Sequence, residues 1–362
     1  MPALTLVHLN DTPAAERDWL ALLLSRFDIT HVVSADFSAI VPGALYVTFS
    51  DKKLVLPQPF LEAVRAAGNC GLIHLGDEYL RGDFRTYAYF DYVLRNNCGC
   101  FLEGEGLLHL PMGFTNSLQP LPIKPASERQ WLWSFSGGRR PERTAMAREL
   151  ALARPAYINM PIPGSGQKFD PRPQYFATIA DSVFIPCGEG NILLETPRPY
   201  EALEFGAIPI LPKRRKVDTY AHLMGPNPIP SFETWREAAE FLVNAQKEPA
   251  QLDAIQAEVL EWWGRAKLMW ADRTTRFIET GRTGVWRKAM RDRWGNWAGA
   301  EKRCIRAKAL MDQQNAVQIQ GRISRIPERV MAKVKGKSMG GSWGFSAPAQ
   351  AAPPKPPEGP KA

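Results

Sequence analysis

The sequence predicts an α/β protein made of two halves that face a cleft, with a basic extension at the C-terminal end. Three observations carry this. Short β-branched and aromatic runs of strand length alternate with segments of helical period, the pattern of open sheets covered on both faces. The alternation pauses once, at residues 119–129, which hold three prolines and few core-forming residues, and then resumes. The chain of 362 residues is also longer than one hydrophobic core usually serves.

In the N-terminal half, residues 1–118, residues 3–9 read as a strand. Residues 14–27 repeat apolar side chains at Trp19, Leu20, Leu23, Leu24 and Phe27, a helical period with Thr12 as its cap. Residues 30–33 and 44–49 are strands, and 60–67 is a short helix closed by Gly68. Residues 71–75, 92–94 and 107–110 complete the half as buried strands. Residues 119–129 form the linker. The C-terminal half, residues 130–280, repeats the scheme. Strands are expected at 130–136, 156–158, 182–186 and 207–211, and helices at 141–153, 173–180 and 197–205. Two amphipathic helices, 232–244 and 250–280, close it, with Trp262, Trp263 and Trp270 as packing residues. Residues 281–335 read as a basic, partly helical extension with Trp286, Trp294 and Trp297; residues 336–362, rich in Gly, Ser, Ala and Pro, read as a disordered tail.

The formal charge of +8 suggests a nucleic-acid partner until it is mapped. Residues 281–362 hold 17 Lys and Arg against 5 Asp and Glu, whereas residues 1–280 hold 28 against 32. The main fold is therefore slightly acidic, and no nucleic acid is expected as its partner. The extension suits peripheral attachment to an anionic membrane or a polyanionic acceptor, and equally a solvated tail. No window has the apolar length of a membrane span, and residues 1–10 lack the features of a signal peptide, so the expected location is cytoplasmic. The five cysteines (Cys70, Cys98, Cys100, Cys187 and Cys304) sit mostly in apolar runs and read as reduced, buried thiols. Cys98 and Cys100 lack the spacing and the second pair of a zinc site, so no metal is expected.

Chemistry concentrates between Gly188 and Leu211. A buried strand runs into Gly188-Glu189-Gly190; a helix then starts at Thr196 as cap and Pro197 as first turn, and ends at Gly206. Arg198 in that first turn and the free amides of a helix start both favour an anion such as a diphosphate. Glu201 lies three residues on, near the same face, where a carboxylate can accept from a ribose diol. A surface Arg–Glu pair on an ordinary helix has the same spacing. Upstream, Gly137 and Gly138 end a strand and permit close backbone approach to phosphates, with Arg139, Arg140 and Arg143 following. A solvated loop would also carry Arg139 and Arg140.

The segment Gly188-x-Gly190, followed by Arg198-x-Tyr200-Glu201-Ala202-Leu203-x-x-Gly206-x-Ile208-Pro209-Ile210-Leu211, resembles the signature of exostosin-type glycosyltransferases. The likeness extends to 133–143, and more loosely to 71–78 and 90–96, near bacterial exostosin-like members and the xylosyltransferase branch. It covers roughly residues 71–242. The resemblance implies a GT-B fold of two Rossmann-like domains, and nucleotide-sugar binding by Arg198 and Glu201. It also implies an inverting transfer from a uridine diphosphate sugar, a substrate and not a cofactor, to a saccharide or glycan acceptor. No Asp-x-Asp occurs, so the ligands of a metal-bridged diphosphate are not evident, and arginines would take that role. Such a reaction needs a general base facing the donor. Asp77 and Glu78, at the end of an N-terminal strand, are the candidates, with Asp77 as a helix cap being the structural alternative. His74 reads as a core histidine, and His8 to Asp11 as a weaker alternative. A non-catalytic nucleotide-sugar or glycan-binding protein on the same fold is the competing reading.

Overall fold

The computed structural model describes residues 1–9, 16–50, 55–78, 82–97, 104–116, 118, 121–162, 166–190, 194–213 and 219–295, all within one compact unit that spans Met1–Ala309. Thr12, Asp11, Cys98, Cys100, Cys304, Trp297 and the expected tail lie outside the described residues.

The N-terminal half is a six-stranded parallel sheet. Its strands are β1 (Ala3–His8), β2 (Asp28–Val33), β3 (Leu45–Ser50), β4 (Gly71–Gly76), β5 (Tyr92–Arg95) and β6 (Leu107–His109), in the order β2-β1-β3-β4-β5-β6. Helices α1 (Arg17–Leu23) and α2 (Gln58–Ala67) connect them, and α2 ends at Gly68, whose φ of 71° only glycine adopts without strain. β4 is buried along its whole length, as a strand covered on both faces requires.

The C-terminal half is a five-stranded parallel sheet of β7 (Trp131–Ser136), β8 (Ala156–Asn159), β9 (Ser182–Pro186), β10 (Ile208–Pro212) and β11 (Ser231–Phe232), ordered β11-β10-β9-β7-β8. Around it lie α3 (Pro141–Glu149), α4 (Arg172–Ala180), α5 (Arg198–Glu204), α6 (Thr219–Met224), α7 (Trp235–Ala245) and α8 (Pro249–Gly281). The two-residue β11 and the short α6 are too brief to leave a periodic signal and were not expected. In both sheets the chain first steps outward, then returns to the other side of the first strand. The reversal opens a crevice at the carboxyl ends of β1 and β3 in one sheet, and of β7 and β9 in the other, where ligands of such sheets bind.

Helix α1 spans Arg17–Leu23 where 14–27 is expected, and three further features refine the sequence reading. The proline-containing segment after residue 120 is packed in place: Ala126 is buried, and the buried Arg129 guanidinium donates to the carbonyls of Ser182, Phe205 and Lys124. Helix α5 begins one residue late, with Pro197 rather than Thr196 at its cap. Finally, residues 281–295, the start of the expected partly helical extension, pack against the N-terminal half. Helix α9 (Arg287–Trp294) sets Met290 and Trp294 into the apolar core of the N-terminal half, beside Phe84, Tyr87 and Leu107. Arg287 pairs there with Asp91, and Arg282 donates to the carbonyl of Ala3. Part of the basic surplus thus holds the chain's return to the first half.

The halves share an apolar core behind the crevices. Trp19 of α1 stacks on Trp263 of α8, ring centroids 6.0 Å apart, and approaches Tyr200 of α5 at 6.2 Å. Aromatic contacts of this kind add about 0.5–1.5 kcal/mol beyond burial. The Trp19 indole also donates to the carbonyl of Pro111, and its ring lies so close to Gly113 that a Cβ there would fall 2.2 Å from it. This contact fixes the loop 110–116, which reaches from β6 toward the C-terminal half.

Candidate functional site

The site is built at the carboxyl ends of β7 and β9. β7 ends at Ser136, whose carbonyl accepts from Arg198 Nη2 at 2.7 Å. The Arg198 guanidinium lies over the Phe135 ring, 4.3 Å from its centroid. Gly137 makes this possible, because a Cβ there would stand 2.8 Å from Arg198 Nη2. The glycine therefore makes room for an arginine, a role the sequence did not suggest. A Cβ on Gly138 would meet, among the described residues, the Phe169 ring at an ordinary 3.8 Å.

Arg143, one turn into α3, donates to the Gly138 carbonyl at 3.1 Å and also faces Phe135. Burial, with Arg198 and Arg140 adding repulsion, pulls its guanidinium down to about 10, so it stays cationic at neutral pH. Its Nε and that of Arg198 are buried without a hydrogen-bond partner among the described residues. Gly188 lies against the Glu142 carboxylate, 3.2 Å from a Cβ placed on it. The first turn of α5 offers fewer amides than a helix start normally does. Pro197 and Pro199 have no N–H, and Tyr200 and Glu201 donate to the Pro197 carbonyl. Side chains, and not the helix end, supply the cationic character here.

Arg140, Arg143, Arg198, Gly190, Glu201 and Glu78 all line one cavity of about 370 Å³, within the size range of small-molecule sites. The structure thus brings Glu78 of the N-terminal half to the arginines of the C-terminal half. Arg139 is exposed and does not line this cavity. Asp77 does not line it either. It is buried, at a φ of 48°, and its carboxylate pairs with the buried Arg95 at 3.2 Å while accepting from the Gly82 amide. Among the described residues, Asp77 is thus held in the fold by Arg95 and the Gly82 amide, and it does not face the cavity that Glu78 lines. His74 belongs to the same network. Arg95 Nη1 donates to the Tyr87 hydroxyl, which lies 2.6 Å from His74 Nδ1, and burial pulls the imidazole well below its usual range. His8 is at the surface, beside His31.

Glu78 also lines a second, smaller cavity of about 150 Å³, together with Glu16, Phe49, Met112 and Phe114. It stands at the junction of the two spaces.

Glu201 is buried, and both its oxygens are engaged: Thr115 Oγ1 donates to Oε1 at 2.6 Å and the Tyr175 hydroxyl to Oε2 at 2.7 Å. Each oxygen keeps a second acceptor direction. Thr115, Tyr175 and Glu195 are site residues that the sequence reading missed. Thr115 reaches the site on the loop 110–116, which Arg172 of α4 holds through the Asn116 carbonyl and Thr115 Oγ1. Tyr175 is one turn along α4. Glu195 is three residues before Arg198, and burial pushes its carboxyl up to about 7.

No protein-family model matches the sequence, and no curated protein does. Several solved structures are similar in outline. An α1,3-fucosyltransferase with GDP-fucose is 13% identical, with a TM-score of 0.47 over 78% of this chain and 91% of that one. The T4 phage BGT in complex with its UDP-glucose substrate is 13% identical, with a TM-score of 0.42 over 76% and 99%. AviGT4, a glycosyltransferase involved in avilamycin A biosynthesis, is 9% identical, with a TM-score of 0.45 over 79% and 99%. Among the described residues, no helix is long and apolar enough to cross a membrane.

Proposed function

We propose that this chain is a glycosyltransferase of the GT-B type, moving a sugar from a nucleoside-diphosphate donor to a hydroxyl of a saccharide or glycan. One observation carries the reading: three guanidiniums and two carboxylates, Glu195 and Glu201, at the crevice of one sheet share a cavity with Glu78 from the end of the other. The remote likenesses above add no weight to it.

In this reading the diphosphate lies against Arg198, Arg143 and Arg140. Arg198 and Arg143 are pre-oriented by the Ser136 and Gly138 carbonyls and the Phe135 ring, so little reorganisation accompanies binding. Glu201, held by Thr115 and Tyr175, accepts from the ribose. Negative charge grows on the diphosphate as the bond from the anomeric carbon to its oxygen breaks, and the guanidiniums stabilise it. Glu78 removes the proton from the acceptor hydroxyl, whose oxygen forms the new bond to that carbon. Attack from the side opposite the diphosphate inverts the centre. The basic segment beyond residue 295 fits attachment to an anionic membrane surface. A uridine donor, the exostosin affiliation and a transfer without metal follow from the resemblance and are part of the proposal.

Calorimetric titration with uridine diphosphate and guanosine diphosphate tests the donor half. Wild type should bind at least one of them, and Arg198→Ala should weaken it by about tenfold to a hundredfold, the worth of a charge-assisted contact. Equal affinity in the variant would remove Arg198 from the site. Binding without turnover across donors and acceptors would replace the enzyme by a binding protein.

A further inference from the structure

Glu195 is the one carboxylate at the cavity that has a buried oxygen without a hydrogen-bond partner among the described residues. It is 4% exposed, yet lines the same space as the three arginines. Oε1 accepts from the Met112 amide at 2.7 Å and from the Tyr200 hydroxyl. Oε2 is buried and has no hydrogen-bond partner among the described residues. The nearest cationic candidate, His109 Nε2, is 3.8 Å away, beyond hydrogen-bond distance, and burial pulls that imidazole down to about 3, so it is neutral.

Packing does not require this arrangement. A glutamine would accept from Met112 and Tyr200 through its amide oxygen, without burying an acid. Half-satisfied buried carboxyls are costly, and one that lines a ligand-sized cavity is a candidate to be completed by what binds there. The chemistry of that partner follows. A carboxyl oxygen repels phosphate oxygens and accepts from O–H or N–H. The cavity therefore divides: its guanidiniums suit the diphosphate, and Glu195, three residues upstream of Arg198, suits a neutral hydroxyl carried next to it.

We propose that Oε2 of Glu195 accepts a hydrogen bond from one hydroxyl of the sugar carried on the diphosphate, and so distinguishes a nucleotide-sugar from the free nucleotide. This rests on reading the arginine-lined cavity as the donor site.

The test compares Glu195→Gln with wild type by calorimetry, using uridine diphosphate and uridine diphosphate glucose, and the guanosine diphosphate and guanosine diphosphate fucose pair. Nucleotide affinity should stay within about twofold, while the nucleotide-sugar should weaken by about tenfold. Equal losses for both ligands, or no loss for either, would overturn the assignment; an internal water would then be what completes Oε2. Should the variant fail to fold, deoxy and deoxyfluoro donors on wild type give the same answer. Removal of one particular hydroxyl should cost about tenfold and the others little, whereas a flat series overturns the proposal. Wild type that binds neither diphosphate would instead refute the donor-site reading itself.

Discussion

Replacing Glu195 by glutamine should make the protein more stable, and only above mildly acidic pH. Burial pushes this carboxyl from 4.5 to about 7, against the opposing effect of the bonds from Tyr200 and Met112. Between these values the folded chain holds a proton that the unfolded chain has released. Stability therefore falls as pH rises from about 4.5 to about 7, by at most about 1.4 kcal/mol per pH unit, and levels off above that. Across the window the ionisable carboxyl costs about 3 kcal/mol. Glutamine does not titrate, so the difference between Glu195→Gln and wild type should grow by about 2–2.5 kcal/mol between pH 5 and pH 8, most of that cost. Glu142, which burial also pushes up to about 6, titrates in both proteins and cancels. His109 is neutral throughout. Urea unfolding at pH 5, 6, 7 and 8 measures the difference. A difference that stays constant within about 0.5 kcal/mol would refute the reasoning, because it would mean that Oε2 is already satisfied. A gain in stability together with a loss of nucleotide-sugar binding is what a functional, uncompensated carboxyl predicts.

Other expectations separate fold from site. Glu78→Gln should lower turnover by at least a hundredfold with an unchanged unfolding midpoint, while Asp77→Asn should chiefly lower stability, by about 2–4 kcal/mol, since it weakens the buried pair with Arg95. A Glu78→Gln enzyme as active as wild type would exclude Glu78 as the base. Gly137→Ala should displace the Arg198 guanidinium from the Ser136 carbonyl and weaken diphosphate binding about tenfold in calorimetry, with little change in stability, because the displaced atom ends a flexible side chain. Gly113→Ala should destabilise by about 3 kcal/mol or more in denaturant titration, as its φ is 69° and the indole of Trp19 has no room to retreat.

The elements of both sheets are legible in the sequence because each is a local pattern. Residues 182–186 coincide with β9, and Gly68 and Gly206 stop their helices at the left-handed conformations that glycine favours. Arg198, Arg143, Glu201 and Gly190, which the sequence singles out, come together at one cavity because they lie in the segments that follow β7 and β9, where the sheet order places a crevice. Residues 281–295 are legible as a basic, partly helical stretch, but where they pack is not. Their apolar contacts, Met290 and Trp294 against Tyr87, Phe84 and Leu107, join segments about two hundred positions apart, which no periodicity records.

The sequence by itself determined two alternating α/β halves, their strands, and an arginine-bearing turn with a carboxylate three residues on. Only the tertiary structure decided how adjacent carboxylates divide. Asp77 turns inward to Arg95 and Glu78 outward to the cavity, because Gly76 and Asp77 both adopt positive φ at the end of β4. It also decided that Glu195 is buried, since the loop 110–116 from the other half covers it and Met112 supplies its amide. Whether a carboxylate is solvated, paired or stranded depends on what the rest of the chain lays against it, and a local pattern does not contain that information.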